Sequence, residues 1–296
     1  MQNHLFMLQV HKDPKLMERI LHHLAAPNHY FVVNVDAKTK NADDFLKVLE
    51  SVPNVICISR KNVMHGGFSQ IGCTLYQWEQ ALSYCVDFSY YHTLSGQDYP
   101  CVSASVFDRF FEGNTQSYMM MDLPEEVVQW RKKKYKDRLE CWNFNDVFHG
   151  RLGRKLHIAG LLRRVMKAVP RPYRDMDQIW GAWNWYSLHH TVVKYLMNYF
   201  WENPKFVRRF YYTHCCDELF YSTVLYPLRE ELNIASRNSL RFVVWRPKRE
   251  YTSLPLVLDE REFDAIAESG CFFCRKVESG VSARLLAMLD AKIAEE

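Results

Sequence analysis

No stretch of this sequence reaches the roughly 18 uninterrupted apolar residues that a membrane-spanning helix needs, so no spanning helix is expected. Nor does the chain open on the charged leader and long apolar core of a secretory signal. It runs straight into a strand-like segment, His4 to Val10, and the expected setting is reducing and cytoplasmic. An excess of one charge sign is also missing: 38 basic against 34 acidic residues leave a net charge of only +4. That is too little for the whole molecule to hold nucleic acid through its phosphates, and no nucleic-acid partner is expected. Any basic binding surface must be local. The nine cysteines form neither the paired CxxC ribbons of a zinc module nor the dense framework of a small disulfide scaffold. Cys215/Cys216 and Cys271/Cys274 each lie in an apolar run without a second ligand pair, so buried free thiols are the expectation. A glycine-rich loop after the first strand is absent too. Val10-His11-Lys12-Asp13-Pro14 offers none, which argues against a nucleotide-binding methyltransferase.

What is present is a chain of 296 residues, 48% hydrophobic, long enough for a substantial core. Its first hundred residues alternate between the two hydrophobic periods, the pattern of βα units feeding a mostly parallel sheet. Strands are predicted at Leu5 to Val10, Tyr30 to Val35, Val55 to Ile58 and Tyr90 to Leu94. Helices are predicted at Pro14 to His23, Ala42 to Leu49, Ser69 to Val86 and Ser103 to Phe111. Later helices are expected at Leu188 to Phe200, Asp217 to Leu225 and Glu260 to Glu268, with strands at Leu240 to Trp245 and Cys271 to Phe273. Trp180 to Trp185 reads as aromatic and turn-rich. Ligands of open α/β sheets lie beyond the carboxyl ends of the strands, which singles out His11, Asp36, His65 and Asp98.

No repeat, low-complexity segment or long linker divides the chain, so a single catalytic domain over 1–296 is expected, with a variable basic insertion at 118–178. Arg131 to Arg138 reads RKKKYKDR, and Arg151 to Arg174 is dense in Arg and Lys around Ile158, Leu161, Leu162, Val165 and Met166. That spacing is a helix with one apolar stripe and a basic face. It suits a solvated surface helix, or a patch in peripheral contact with an anionic inner-membrane surface through 151–174.

Eight blocks, in order, resemble one family. They are LQVHKDPKLMERIL, FVVNVDAKT, NVMHGGFSQIGCTL, HTLSGQDYPCVS, GAWNWYSL, CCDELFYSTVL, LRFVVW and CFFCRKVE, running from about residue 4 to about 278. The family is that of the branching glycosyltransferases, containing the core-2 and I-branching N-acetylglucosaminyltransferases and the peptide O-xylosyltransferases. The resemblance implies an α/β fold, the nucleotide-sugar-binding sandwich of the GT-A type with a mostly parallel central sheet. It implies inverting transfer of a sugar, GlcNAc or xylose, from a UDP-sugar to a hydroxyl of a glycan or lipid-linked glycan. Inversion needs one carboxylate to take the acceptor proton, and the matching residue is Glu218; Asp217 beside it suits a helix cap.

The same resemblance places Val10, Asp36 and His65 around the nucleoside, and Lys276 with Arg275 at the diphosphate in place of a metal. Asp36 also makes sense unaided, since a carboxylate after a strand accepts from uracil N–H or ribose hydroxyls. The glycines Gly66 and Gly67 beside His65 are what close backbone approach would need. A second phosphate arginine of the core-2 branch falls where this chain reads Thr252-Ser253-Leu254, leaving Arg249, Arg246 or Arg275 to substitute. Asp175-Met176-Asp177 is a formal metal motif but lies in the basic insertion rather than at a strand end, and neither a metal nor another cofactor is expected. For the acceptor, the expectations are Asp98, Trp245 and Trp185, with Trp183 nearby, because aromatic faces pack on sugar C–H faces and carboxylates hold hydroxyls. The reading from a different class is an inactive accessory protein that binds glycan or nucleotide. Glu218 and Lys276 together argue against it.

Overall fold

A computed structural model describes residues 2–121, 136–148, 158–166, 169, 171 and 179–296. Its centre is a sheet in the order β3-β2-β1-β4-β7-β6-β8, with β9 also paired to β6. The strands are β1 (His4–Val10), β2 (His29–Val35), β3 (Val55–Ser59), β4 (Tyr90–Ser95), β6 (Ser117–Met121), β7 (Ala182–His189), β8 (Ile234–Ala235) and β9 (Arg237–Asn238). β1, β2, β3 and β4 run parallel, with Val10 opposite Val35 and Gln9 opposite Ser95. A small second sheet sets β10 (Arg241–Val243) parallel to β11 (Phe273–Arg275), which pairs antiparallel with β5 (Asp98–Pro100).

The buried strands explain the continuous apolar runs of the sequence: both faces are covered, so alternate residues feed two cores. Leu5, Met7 and Val32 pack on one side with Trp78, Leu196 and Phe220. Phe6, Leu8, Val33 and Val35 pack on the other with Ile20, Phe45, Phe107 and Leu286. The first side is covered by α3 (Ser69–Leu82), α6 (His190–Glu202) and α7 (Asp217–Leu225). The second is covered by α1 (Pro14–Leu24), α2 (Ala42–Ser51), α4 (Ala104–Phe111) and α8 (Ala283–Ala294). Another helix, α5 (Ile158–Met166), belongs to the basic stretch. Asp13 caps α1 by accepting from the Leu16 amide, with Pro14 in the first turn as expected.

Two expectations are corrected. Trp180 to Trp185 is no turn: most of it enters β7, held by non-local pairing to β4 and β6. The helix expected to reach Val86 stops at Leu82. The stretch 118–178 starts within the large sheet, since Tyr118 to Met121 belong to β6.

Arg241 locks the two sheets together. Nearly fully buried, it leaves β10 to donate to Ser187 Oγ at 2.8 Å, the Tyr186 carbonyl at 2.9 Å and the Thr93 carbonyl at 3.2 Å, all on the large sheet. Its removal strands several buried acceptors in a dry interface. Replacing Arg241→Met is expected to lower unfolding free energy by about 3 kcal/mol, read as a drop in denaturant midpoint with unchanged slope. A midpoint equal to that of the parent would remove Arg241 from this role.

Candidate active site

The parallel strands end together, and a cavity of about 510 Å³ opens beyond them. Val10 from β1, Asp36 just after β2, His65 after β3, Ser95 at the end of β4 and Gln97 beyond it line it, together with Arg275 and Trp185. Three of the four strand-end residues singled out above, His11, Asp36 and His65, therefore meet around one space.

Asp36 is held in place before any ligand arrives. Its Oδ1 accepts the Lys38 amide at 2.8 Å, and its Oδ2 accepts Lys38 Nζ at 2.7 Å and the Val63 amide at 3.2 Å. Lys38 Nζ also donates to Asn62 Oδ1 and the Val63 carbonyl, both at 2.6 Å, so this lysine stitches the ends of β2 and β3. Val10 is buried, whereas His65 is exposed at the rim. Burial foremost, and then Lys12 beside it, push the His11 imidazole below its ordinary range.

The backbone at Gly66 and Gly67 is closely approached, as their lack of side chains allows. A Cβ on Gly66 would stand 2.5 Å from the His214 ring, and one on Gly67 would stand 2.4 Å from the Asp146 carboxylate. The close approach is to the chain's own side chains. Gly66, at φ +72°, accepts the Cys215 amide on its carbonyl at 3.0 Å and Asn143 Nδ2 at 2.8 Å. The loop that lines the cavity is thereby fastened to the start of α7, where Glu218 sits.

Glu218 is not among the residues lining the cavity; it lies in the first turn of α7, its side chain a third exposed. Arg138 Nη1 donates to its Oε2 at 2.6 Å, fixing the carboxylate's direction. Arg138 was invisible as a site residue, because nothing local in the basic run distinguishes it from its neighbours. Asp217 is the buried partner, expected as a mere cap. Its Oδ1 has no hydrogen-bond partner among the described residues, and burial, then the adjacent Glu218 charge, push its carboxyl up to about 7.

Asp98 does not open to the cavity. It is fully buried, its Oδ2 accepting the Ser95 amide and hydroxyl, both at 2.6 Å, while both oxygens receive Arg275 Nη1 at 2.9–3.0 Å. Its contribution runs through Arg275, whose guanidinium lies 3.8 Å from the centre of the Trp185 ring. Trp185 thus backs an arginine rather than standing bare. Trp245 is 38% exposed and packs edge-on against Trp183 at 6.0 Å. Lys276 sits 3.6 Å from Glu278, which also takes Lys12 Nζ at 2.8 Å. Of the candidates for a second phosphate cation, Arg249 is committed elsewhere, to Asp259 at 2.6 Å and Glu262 at 2.7 Å. Arg246 is exposed, and Arg275 lines the cavity. Asp175 to Asp177 lie outside the described residues. Of the cysteine pairs, Cys216, Cys271 and Cys274 are free thiols, and Cys215, Cys216 and Cys274 are buried.

The raised Asp217 carboxyl makes a signed prediction. The folded state holds this proton more tightly than the unfolded chain, so the stability it confers is fully present below about pH 4 and is lost as pH rises towards 7. Asp217→Asn removes this loss. The variant's stability relative to the parent is expected to rise between pH 4 and pH 7, by up to about 4 kcal/mol in the fully buried limit, as measured by denaturant unfolding at each pH. A difference that stays flat across that window would contradict the assignment.

A family model described as Core-2/I-Branching enzyme matches residues 5–267, which covers the central sheet from Leu5 on, the start of α7 and the cavity lining apart from Arg275. Over 101 residues the chain is 34% identical to a Danio rerio protein named beta-1,3-galactosyl-O-glycosyl-glycoprotein beta-1,6-N-acetylglucosaminyltransferase 4. That alignment covers 33% of this chain and 24% of the zebrafish protein, so the match spans about a quarter of the relative's length. The extent of the family match, on a mostly parallel α/β sheet with its cavity at the strand ends, establishes that the chain belongs to the Core-2/I-branching enzyme family.

Proposed function

We propose that this chain is a glycosyltransferase that moves a sugar from a UDP-sugar to a glycan hydroxyl with inversion, Glu218 acting as general base. The observation that carries the reading is the coupling of a strand-end cavity to the helix bearing Glu218, through the Gly66 carbonyl and the Cys215 amide. Of the two donor sugars considered, the name of the zebrafish relative favours GlcNAc over xylose.

In this reading uracil and ribose sit among Val10, Asp36 and His65, with the Asp36 carboxylate accepting a uracil N–H or ribose hydroxyl. Arg275 and Lys276 face the diphosphate. The acceptor oxygen attacks the anomeric carbon as the bond from that carbon to the phosphate oxygen breaks, and its proton passes to the Glu218 carboxylate. Negative charge grows on the departing UDP, and the two cations offset it without a metal. Arg275 is suited to this because Asp98 and Trp185 fix its guanidinium before the donor binds, so little ordering remains for the reaction itself. Trp245 and Trp183 offer an apolar face for the acceptor ring, with Asp98 acting only through Arg275.

We further propose that α5 meets an anionic surface or a lipid-linked acceptor at the cytoplasmic side of a membrane. No helix among the described residues is long and apolar enough to cross one. Leu161 and Val165, 61% and 62% exposed, share one face of α5, and Arg164 is exposed beside them.

Glu218→Gln is expected to keep the fold and the binding of UDP-GlcNAc while losing transfer by roughly 10²-fold or more, measured as product formed per minute. In the same assay the parent's turnover should survive excess EDTA. Parent-like turnover by the variant would remove Glu218 from the mechanism, and loss on chelation reversed by Mn²⁺ would replace the cations with a metal.

A further inference from the structure

The opposite edge of the sheet carries a second polar cluster that transfer does not use. Among the described residues, His4, His29 and Asp108 each offer one ligand atom within 4.8 Å of the other two. His4 opens β1, His29 opens β2, and Asp108 projects from α4, so the cluster lies where the parallel strands begin, away from the donor cavity. Both imidazoles are buried, while the Asp108 side chain keeps a quarter of its surface exposed.

The hydrogen bonds define a problem of charge. His29 Nδ1 stands 2.6 Å from the Leu24 carbonyl, an acceptor, and must therefore carry a proton there. Its Nε2 lies 2.8 Å from Asp108 Oδ1. In the neutral ring this sets a lone pair against a carboxylate oxygen, so a cation is required between them, either a second proton or a metal. A lone proton would satisfy His29 alone, yet His4 Nε2 converges on the same oxygen from 3.7 Å.

We propose that His4 Nε2, His29 Nε2 and Asp108 Oδ1 bind a divalent transition ion of the zinc type, with water as the fourth ligand entering past Asp108. Bonds of about 2.0–2.2 Å in a tetrahedron require ligand atoms about 3.3 Å apart. The two measured separations, 2.8 and 3.7 Å, bracket that value. The outer contacts are those that orient metal-bound imidazoles. His29 is fixed through Leu24; His4 Nδ1 lies 3.1 Å from His92 Nε2, and His92 Nδ1 lies 2.8 Å from Ser187 Oγ. Asn28 Nδ2 steadies Asp108 at 3.1 Å. An ion here would clamp β1, β2 and α4 together, a structural role separate from catalysis.

The test uses the tag-free chain, loaded with Zn²⁺, dialysed against metal-free buffer and measured for bound metal. One ion per chain is expected, with a higher thermal midpoint. Because nine cysteines could also hold zinc, Co²⁺ substitution distinguishes the ligands: weak visible bands without the intense thiolate band are expected. Asp108→Asn and His29→Gln should each weaken binding at least about tenfold. No retained ion, a thiolate band, or parent-like affinity in both variants would overturn the proposal and leave a protonated His29–Asp108 pair. If the variants fail to fold, the parent's stoichiometry and cobalt spectrum decide alone.

Discussion

The parallel pairing of β1 with β2 on one side and β4 on the other is the constraint on which the remaining geometry depends. Strands that run the same way finish at the same edge, so Val10, Asp36 and Ser95 arrive together although they are far apart in sequence. The backbone amides and side chains that follow are therefore gathered without any long loop. The register settles the chemistry as well as the shape. Slipping one strand by a residue would exchange the faces of its side chains and dismantle both cores at once.

The charged groups of the site are ordered by the chain before any ligand arrives. Arg275 is clamped by a fully buried Asp98, which the Ser95 amide and hydroxyl hold in turn. Asp36 is tied by Lys38 and the Val63 amide, and Glu218 by Arg138. A buried carboxylate with several donors keeps its place, and an arginine fixed against it loses little rotamer freedom on meeting a phosphate. The same economy explains the two glycines after β3. Their missing side chains let His214 and Asp146 pack against the loop, whose Gly66 carbonyl is tied to the Cys215 amide just before α7.

Local sequence made part of this legible. Alternating apolar periods gave away β1, β2, α1 and α2 almost to the residue, because each buries a face made of near neighbours. Strand-end position alone picked out Asp36 and His65, and the family resemblance added Glu218 and Arg275. What stayed hidden depends on partners distant in sequence. β7 looks like an aromatic turn until it pairs with β4 and β6, and Asp98 looks free until Arg275 reaches it from β11. Arg138 and Arg249 are ordinary members of basic runs until the fold brings Glu218 to one and Asp259 and Glu262 to the other. The histidines at the starts of β1 and β2 are 25 residues apart and became a cluster only through parallel pairing at His4 and His29.

The central claim is that the strand-end cavity holds a uridine diphosphate, and calorimetric titration of the full chain with UDP in metal-free buffer tests it most directly. The account predicts one site per chain, weakened roughly two- to tenfold by His65→Ala, the loss of a ring contact worth about 0.5–1.5 kcal/mol. Absence of UDP binding, or binding that His65→Ala leaves untouched, would contradict it.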